Sequence, residues 1–213
     1  MDWIWANRAE LASLTLTHAW LSAVPILVGL AVATPIGWWV SRHTRIGGVI
    51  LGLGSILYTI PSLALFVILP GIIGTGFLSP VNVIVALSIY AVALLVRTAA
   101  DAFGSVSPAV LDAATASGYS NTGRGLRVEL PLAGPVLLAG LRVVSVSTVS
   151  LVSVGALIGV SSLGSLFTDG YRRDFGTEIV AGVIGTVVLA LVFDLILVAW
   201  GRILMPWASG ARA

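Results

Sequence analysis

The stretch PVNVIVALSIYAVALLVRTAA, residues 80–100, decides the fold class of this chain. A helix needs about 20 consecutive apolar residues to cross the hydrocarbon core of a bilayer, and this stretch supplies them with one charged side chain near its end. Four further stretches are long and apolar enough to do the same. The predicted spans are 16–40, 47–72, 80–100, 134–160 and 177–204. We therefore predict an all-α integral membrane protein with a single transmembrane domain over residues 1–213.

The overall composition supports the same prediction. Of the 213 residues, 58% are hydrophobic and 9% are charged, and the mean hydropathy is +1.07. A soluble fold of this size could not bury so much apolar surface, so the excess is expected to face lipid. The first ten residues lack the basic region of a secretory signal, and an uncleaved anchor is expected. Tryptophans near the span ends are interpreted as interfacial anchors. They are Trp3, Trp5, Trp20, Trp38, Trp39, Trp200 and Trp207.

The distribution of arginine predicts which side of the membrane each connection faces, because cytoplasmic loops carry an excess of positive charge. Arginines occur in the first and third connections and at the C-terminus, whereas the second connection, 71–79, has none. They are Arg42, Arg45, Arg124, Arg127, Arg202 and Arg212. The prediction is an N-terminus outside and a cytoplasmic C-terminus. Arg172 and Arg173 are exceptions in the predicted outer loop 161–176, where nearby acids offset them.

Composition also excludes several kinds of chemistry. The chain has no lysine, which a phosphate-binding P-loop requires, so it is not its own P-loop ATPase. It has no cysteine and two well-separated histidines, His18 and His43, so no metal or redox centre is expected. The arginines are scattered and do not form a nucleic-acid patch. We expect no catalytic residue, metal or resident cofactor in this chain.

The longest interior polar interval, residues 101–133, is predicted to be a helical module rather than a linker. Ser107 can cap a helix that has Pro108 at its first position. Small and apolar residues then repeat at helical spacing as far as Gly118, where the helix is expected to end. Pro131 and Pro135 are predicted to separate this module from the fourth span, because proline cannot donate a backbone hydrogen bond within a helix.

Within that interval, one motif resembles a known signature. Asp112, Ala113 and Ala114 are followed after three residues by Gly118, and nine residues later by Val128, Glu129, Leu130 and Pro131. This pattern resembles the E-A-A-x3-G-x9-I-x-L-P signature of binding-protein-dependent ATP-binding-cassette (ABC) importer permeases, with Asp112 in place of glutamate and Val128 in place of isoleucine. The resemblance implies a coupling helix that docks into a groove on a separate ATPase. It assigns ATPase coupling to seven residues: Asp112, Ala113, Ala114, Gly118, Val128, Leu130 and Pro131.

The second span carries a more specific resemblance. Residues 59–66, TIPSLALF, are similar to a run found in permeases for glycine betaine, carnitine and choline, and ELPLAGPVLLAGLR and GALIG with a following SLG add to the likeness. Pro61 should interrupt the helix, and the hydroxyls of Thr59 and Ser62 are expected to satisfy the freed backbone groups. Such a break is either a hinge lining the translocation path or a packing kink. We favour the first interpretation, in which Thr59, Pro61 and Ser62 line the translocation path.

Charged residues inside the spans are candidates for function, since a charge in the bilayer is costly unless it is paired or wetted. Arg97 and Asp101 are four residues apart and are predicted to form a structural pair on one helix face. Arg142 and Asp194 lie on different spans and could approach each other or be neutralised elsewhere. The series of acids and histidines expected of a proton-coupled transporter is missing.

Aromatic residues inside the spans are few and are expected to be widely separated: Tyr58, Phe66, Tyr90 and Phe193. A cation–π cage for a quaternary amine requires several aromatic faces that converge on one pocket. We therefore expect a separate extracytoplasmic binding protein to choose the substrate.

The family resemblance further implies partners and a location. They are ABC ATPase subunits that bind ATP and Mg²⁺, the substrate-binding protein, a second identical or homologous permease, and the lipid bilayer of a bacterial plasma (inner) membrane. This chain would then be a non-catalytic subunit. The alternatives are a self-contained channel or secondary transporter, a membrane-embedded enzyme, and an ABC permease for another small solute such as methionine or taurine.

Overall fold

A computed structural model describes residues 2–208, and most of them are helical. The helices are α1 (Asp2–Ala6), α2 (Arg8–Val40), α3 (Thr44–Thr59), α4 (Ser62–Ile73), α5 (Pro80–Gly104), α6 (Pro108–Ala116), α7 (Asn121–Arg124), α8 (Leu130–Val154), α9 (Ser165–Arg172) and α10 (Gly176–Leu204). A π-helical turn, Gly125–Glu129, joins α7 to α8, and 3₁₀ turns occur at Gly155–Ile158 and Pro206–Ala208. No strand occurs among residues 2–208, which confirms the all-α prediction. Arg212 lies outside the described residues.

Among residues 2–208, four helical segments are long and apolar enough to cross a membrane. They are Arg8–Val40, Pro80–Gly104, Asn121–Ile158 and Gly176–Leu204. Helices α3 and α4 together form a fifth candidate, which is bent by 101° at the break between Thr59 and Ser62. The five predicted spans therefore correspond to four continuous helical segments and one broken helix.

The boundary predicted before the fourth span is wrong. Pro131 and Pro135 do not separate a cytoplasmic module from the span, because one helical segment runs from Asn121 to Ile158 through both prolines. Local π adjustments and neighbouring helices can satisfy the backbone groups that proline leaves free. Here the π turn Gly125–Glu129 directly precedes Pro131, and the amide of Leu130 donates to the carbonyl of Gly125 across it. The helix therefore continues where the local rule predicts a break.

Helix α5 is the centre of the bundle, where it packs along α2 and also contacts α3, α4 and α8. Two glycines on α2 permit the close approach of these helices. A Cβ atom added at Gly37 would lie 2.2 Å from the Cβ of Ala99, and one added at Gly29 would lie 2.7 Å from the Cβ of Ala91. Small residues allow helices in lipid to gain contact area by packing backbone against backbone. The α2–α5 contact therefore depends on these two glycines.

Of the two charge pairs that the sequence suggested within the spans, one forms. The Arg142 guanidinium joins α8 to α10 by donating two hydrogen bonds to the Asp194 carboxylate, Nε to Oδ1 at 2.6 Å and Nη2 to Oδ2 at 2.8 Å. The predicted pair of Arg97 and Asp101 is wrong: no ion pair in the described part of the chain joins them, and both residues are exposed.

Candidate functional site

Helix α6 lies between the third and fourth spans, where a coupling helix was predicted, and Pro108 occupies its first turn. Ser107 is at the N-cap position, but its side chain makes no capping hydrogen bond. Its backbone carbonyl instead accepts hydrogen bonds from the amides of Val110 and Leu111, at 3.0 and 3.3 Å. The start of the helix is therefore set by proline geometry and backbone bonding, and the predicted side-chain cap is wrong.

The end of α6 depends on Gly118. This glycine has φ +86°, in the left-handed region. Its amide donates to the carbonyl of Thr115 at 3.0 Å, and the amide of Tyr119 donates to the carbonyl of Ala114 at 3.2 Å. This is the Schellman arrangement, in which a left-handed residue lets the chain turn back over the last helical carbonyls. Glycine adopts that conformation without the penalty that a Cβ atom brings.

The seven residues assigned to ATPase coupling fall into two groups. Asp112, Ala113 and Gly118 are exposed on or directly after α6, whereas Ala114 is 9% exposed and faces the rest of the chain. The other three residues lie at the π turn and the first turn of α8, where each is partly buried: Val128, Leu130 and Pro131. The first three are therefore accessible to solvent or to another protein, whereas Ala114 and the three residues at the start of α8 are wholly or partly covered by the chain itself.

Beneath α6 lies a charged cluster that the sequence did not reveal. Glu129 is 2% exposed, and both of its carboxylate oxygens are hydrogen-bonded. Its Oε1 accepts from Arg42 Nη2 and, at 3.0 Å, from Arg124 Nε, while its Oε2 accepts from Trp38 Nε1 at 3.2 Å. The Arg42 guanidinium also lies over the Trp38 ring, 3.8 Å from the centroid. A fully buried carboxylate is tolerated because these donors replace the water it has lost.

Two features of this cluster correct or extend the sequence interpretation. Trp38 is a hydrogen-bond donor to Glu129 rather than a simple interfacial anchor. Glu129 could have been noticed in the sequence, because it is an acidic residue at the point where the chain becomes strongly apolar again. An acid in such a position needs a partner. Burial lowers the pKa of the Arg42 guanidinium, and the nearby Glu129 carboxylate opposes that effect. Arg42 nevertheless stays charged at neutral pH, as guanidinium groups in proteins do.

The break in the second span is stabilised mainly by a residue on another helix. Ile60 is extended, with φ −65° and ψ 129°, and its carbonyl accepts a hydrogen bond from the Tyr90 hydroxyl of α5 at 2.5 Å. Thr59 donates to the carbonyl of Ile56 at 2.7 Å, as expected for a local hydroxyl. No hydrogen bond in the described part of the chain involves the Ser62 hydroxyl, so the prediction that it satisfies a freed backbone group is wrong. The break was predicted, but its partner was not.

The aromatic residues of the spans are not all separated, contrary to the expectation. Tyr58 and Tyr90 meet edge to face, with ring centroids 5.6 Å apart and an interplanar angle of 77°. They are distant in sequence but lie on α3 and α5, which pack together. Tyr58 is 42% exposed and Tyr90 is 4% exposed. Two rings that contact each other do not make a cage with several converging faces.

Within residues 2–208, no group of three or more His, Cys, Asp or Glu side chains is placed to hold a metal ion. The described charged clusters are ion pairs between acids and arginines. Such charge-assisted hydrogen bonds fix the relative positions of the helices that they join.

Residues 22–210 match the family described as "Binding-protein-dependent transport system inner membrane component". The chain is 31% identical to the osmoprotectant import permease protein OsmW of Salmonella typhimurium, with 94% of each chain covered. It is 29% identical to the choline transport system permease protein OpuBB of Bacillus subtilis, over 97% of this chain and 94% of that one. It is 30% identical to the glycine betaine/carnitine/choline transport system permease protein OpuCD of the same organism, over 89% and 82%.

Solved structures share the fold at lower identity. A chain of the inward-facing MetNI methionine ABC transporter superimposes with a TM-score of 0.81 at 19% identity, over 93% of this chain and 98% of that one. A chain of an amino acid ABC transporter crystallised with histidines gives a TM-score of 0.69 at 14% identity, over 93% and 96%. The arrangement of helices is therefore one that occurs in ABC transporters.

Proposed function

This chain belongs to the family of binding-protein-dependent transport system inner membrane components, and on that premise we propose that it imports quaternary-amine osmoprotectants such as glycine betaine, carnitine and choline. The observation that carries the substrate class is the agreement among its relatives. An osmoprotectant, a choline and a glycine betaine/carnitine/choline permease each match at least 89% of this chain. The methionine and amino acid transporters resemble it at 19% and 14% identity, which supports the fold alone.

Energy enters this permease through α6, in our proposal. Asp112 and Ala113 are exposed on this helix and Gly118 is exposed just after it, and their small size would let an ATPase surface approach closely. ATP and Mg²⁺ would be bound by that partner, since this chain has no lysine for a phosphate loop. Closure of the ATPase would push α6 and shift the spans between inward- and outward-facing arrangements. This requires α6 and the C-terminus on the cytoplasmic side and the N-terminus outside.

A second permease completes the path in this proposal. Within the single chain, only 11% of the most apolar part of α10 is buried. Most of this helix must therefore be covered by lipid or by another protein. Five spans enclose little space by themselves, and a path between two permeases suits a chain with 24 glycines, which let helices pack closely in lipid. The partner is either an identical chain or a homologous one.

The break at Thr59, Pro61 and Ser62 is our candidate for the lining of the path. Thr59 and Pro61 are exposed and Ser62 is partly buried in the single chain. Backbone that leaves the helical conformation at membrane depth is tolerated where it lines a cavity or is covered by protein. Because no aromatic cage is assembled in the described part of the chain, substrate choice is assigned to an extracytoplasmic binding protein.

Uptake into proteoliposomes tests the proposed function. The permease would be reconstituted with its ATPase and binding protein and supplied with labelled betaine, choline, carnitine, methionine or taurine. We expect uptake of at least one quaternary amine that requires ATP hydrolysis on the ATPase side. ATP-independent uptake would instead indicate a channel or secondary transporter. ATP-driven uptake of methionine or taurine in preference to every quaternary amine would overturn the substrate class but not the ABC permease.

A further inference from the structure

We infer that Glu129 is a positioning residue that holds the coupling helix α6 in a fixed relation to the first span α2, an inference that rests on the proposed function of α6. The buried carboxylate is held by donors from separate parts of the chain. Trp38 lies at the end of α2, Arg42 lies in the turn that follows, and Arg124 lies on α7. Glu129 itself ends the π turn that begins the fourth span.

Arg124 connects this cluster to α6. While its Nε donates to Glu129, its Nη1 donates to the Thr115 hydroxyl of α6 at 2.8 Å. In the described part of the chain, this is the one side-chain hydrogen bond from another helix to α6. The connection runs from Thr115 through Arg124 and Glu129 to Arg42 and Trp38. A displacement of α6 relative to α2 must therefore either break a charge-assisted hydrogen bond or move both helices together.

The burial of the cluster explains why this connection can transmit a displacement. The Glu129 side chain is 3% exposed, and those of Arg42 and Arg124 are 25% and 18% exposed. Ion pairs shielded from water resist separation more strongly than surface pairs, because a lone charge left behind would be poorly solvated. The contact beside it is also tight, since a Cβ added at Gly125 would lie 2.7 Å from the Trp38 ring. The π turn between α7 and α8 therefore packs directly against α2.

Two pairs of variants distinguish positioning from general stabilisation. Glu129→Gln keeps the shape of the side chain and removes its charge, and Glu178→Gln is its matched control. Glu178 is equally buried, at 3% exposed, and is paired with Arg173 at 2.5 and 2.6 Å, but it lies at the start of α10. At the other end of the connection, Thr115→Val removes the hydroxyl from an exposed position, and Thr115→Ser retains it.

The first measurement is the amount of substrate transported per ATP hydrolysed in the reconstituted transporter. The second is hydrogen exchange of residues 108–118 in the assembled complex. We expect Glu129→Gln and Thr115→Val each to lower transport per ATP about fivefold or more, and the Glu129→Gln/Thr115→Val double variant to lower it no further. Hydrogen exchange across α6 should rise in both single variants, Glu129→Gln and Thr115→Val. Thr115→Ser and Glu178→Gln should stay within about twofold of the unmodified chain.

Three outcomes would overturn the inference: normal transport per ATP in Glu129→Gln, an equal loss in Glu178→Gln, or single-variant losses that multiply in the double variant. If Glu129→Gln fails to assemble, Thr115→Val against Thr115→Ser decides, since both change an exposed side chain. If the unmodified transporter shows no ATP-driven uptake, the proposed function fails. If the unmodified transporter works and Glu129→Gln transports as much substrate per ATP, only the inference about Glu129 fails.

Discussion

Replacing Gly118 with alanine should loosen the C-terminal end of α6 through backbone strain. Gly118 has φ +86°, and no atom lies within 4 Å of the position that a Cβ would take. Steric overlap with the rest of the chain therefore contributes nothing. What remains is the cost of a left-handed conformation in a residue with a side chain, about 1–2 kcal/mol. That corresponds to about a 5- to 30-fold change in the ratio of frayed to closed helix ends.

Hydrogen exchange at the amides of Gly118 and Tyr119 measures this change, because both close the Schellman turn. We expect Gly118→Ala to raise their exchange by that factor and Gly118→Asn to raise it less, since asparagine adopts the left-handed region more readily. Gly104→Ala is the matched control: it also has no neighbour within 4 Å but lies in ordinary helix. Equal exchange in the alanine and asparagine variants, or no increase over the control, would refute the strain argument.

The same position separates strain from docking. Gly118→Asn relieves most of the strain but adds a side chain to an exposed surface, whereas Gly118→Trp adds both strain and bulk. If α6 docks into a groove on the ATPase, Gly118→Trp should abolish co-purification of the ATPase and transport-coupled hydrolysis, and Gly118→Asn should weaken both. Retention of both in Gly118→Trp would show that this end of α6 does not lie at the interface.

Three further substitutions test the packing of the spans. Gly37→Val should destabilise the chain by about 1–3 kcal/mol, because its side chain would overlap Ala99 on α5, and thermal unfolding in detergent measures the loss. Tyr90→Phe should cost about 0.5–1.5 kcal/mol by removing the hydrogen bond to the Ile60 carbonyl, and should increase protease cleavage at the break in the second span. Asp194→Asn should lower the amount of folded protein in the membrane, because it leaves its arginine partner in the span without a counter-charge.

Each of these substitutions has a control and a contrary outcome. Gly48→Ala, at a helical glycine with open space around it, should leave the unfolding temperature almost unchanged. Tyr58→Phe removes a hydroxyl from the same aromatic pair without touching Ile60, so cleavage equal to that of Tyr90→Phe would contradict the role of the hydrogen bond. Neutralising Arg142 together with Asp194 should restore part of the lost protein, and no recovery would show that the charge balance does not matter.

The spans and α6 could be predicted because their signals are local. Hydrophobic length identifies a span, and Pro108 and Gly118 mark the ends of α6, since the conformations that proline and glycine favour depend on their own backbone. The bend in the second span followed from Pro61 in the same way. The continuous helix through Pro131 and Pro135 was missed because neighbouring helices and a π turn override the local rule.

The partners of buried polar groups could not be predicted, because they come from distant parts of the chain. Glu129 is 87 residues from Arg42 and 91 from Trp38. Tyr90 is 30 residues from the carbonyl it stabilises, and Arg142 is 52 from Asp194, a pairing that the sequence left open. A charge or polar group in an apolar stretch needs a partner, but its own position in the sequence does not say which residue supplies one.

By itself, therefore, the sequence determined the class of fold, the apolar segments, the bend at Pro61, the motif that includes α6 and the family to which the chain belongs. These depend on hydrophobic length, backbone conformation and residue order, all of which are read within short segments. Only the tertiary structure decided that Glu129 ties α6 to α2 through Arg124, and that Tyr90 stabilises the bent second span. Those contacts depend on which helix faces pack together, a property that arises when the whole bundle assembles and separated residues become neighbours.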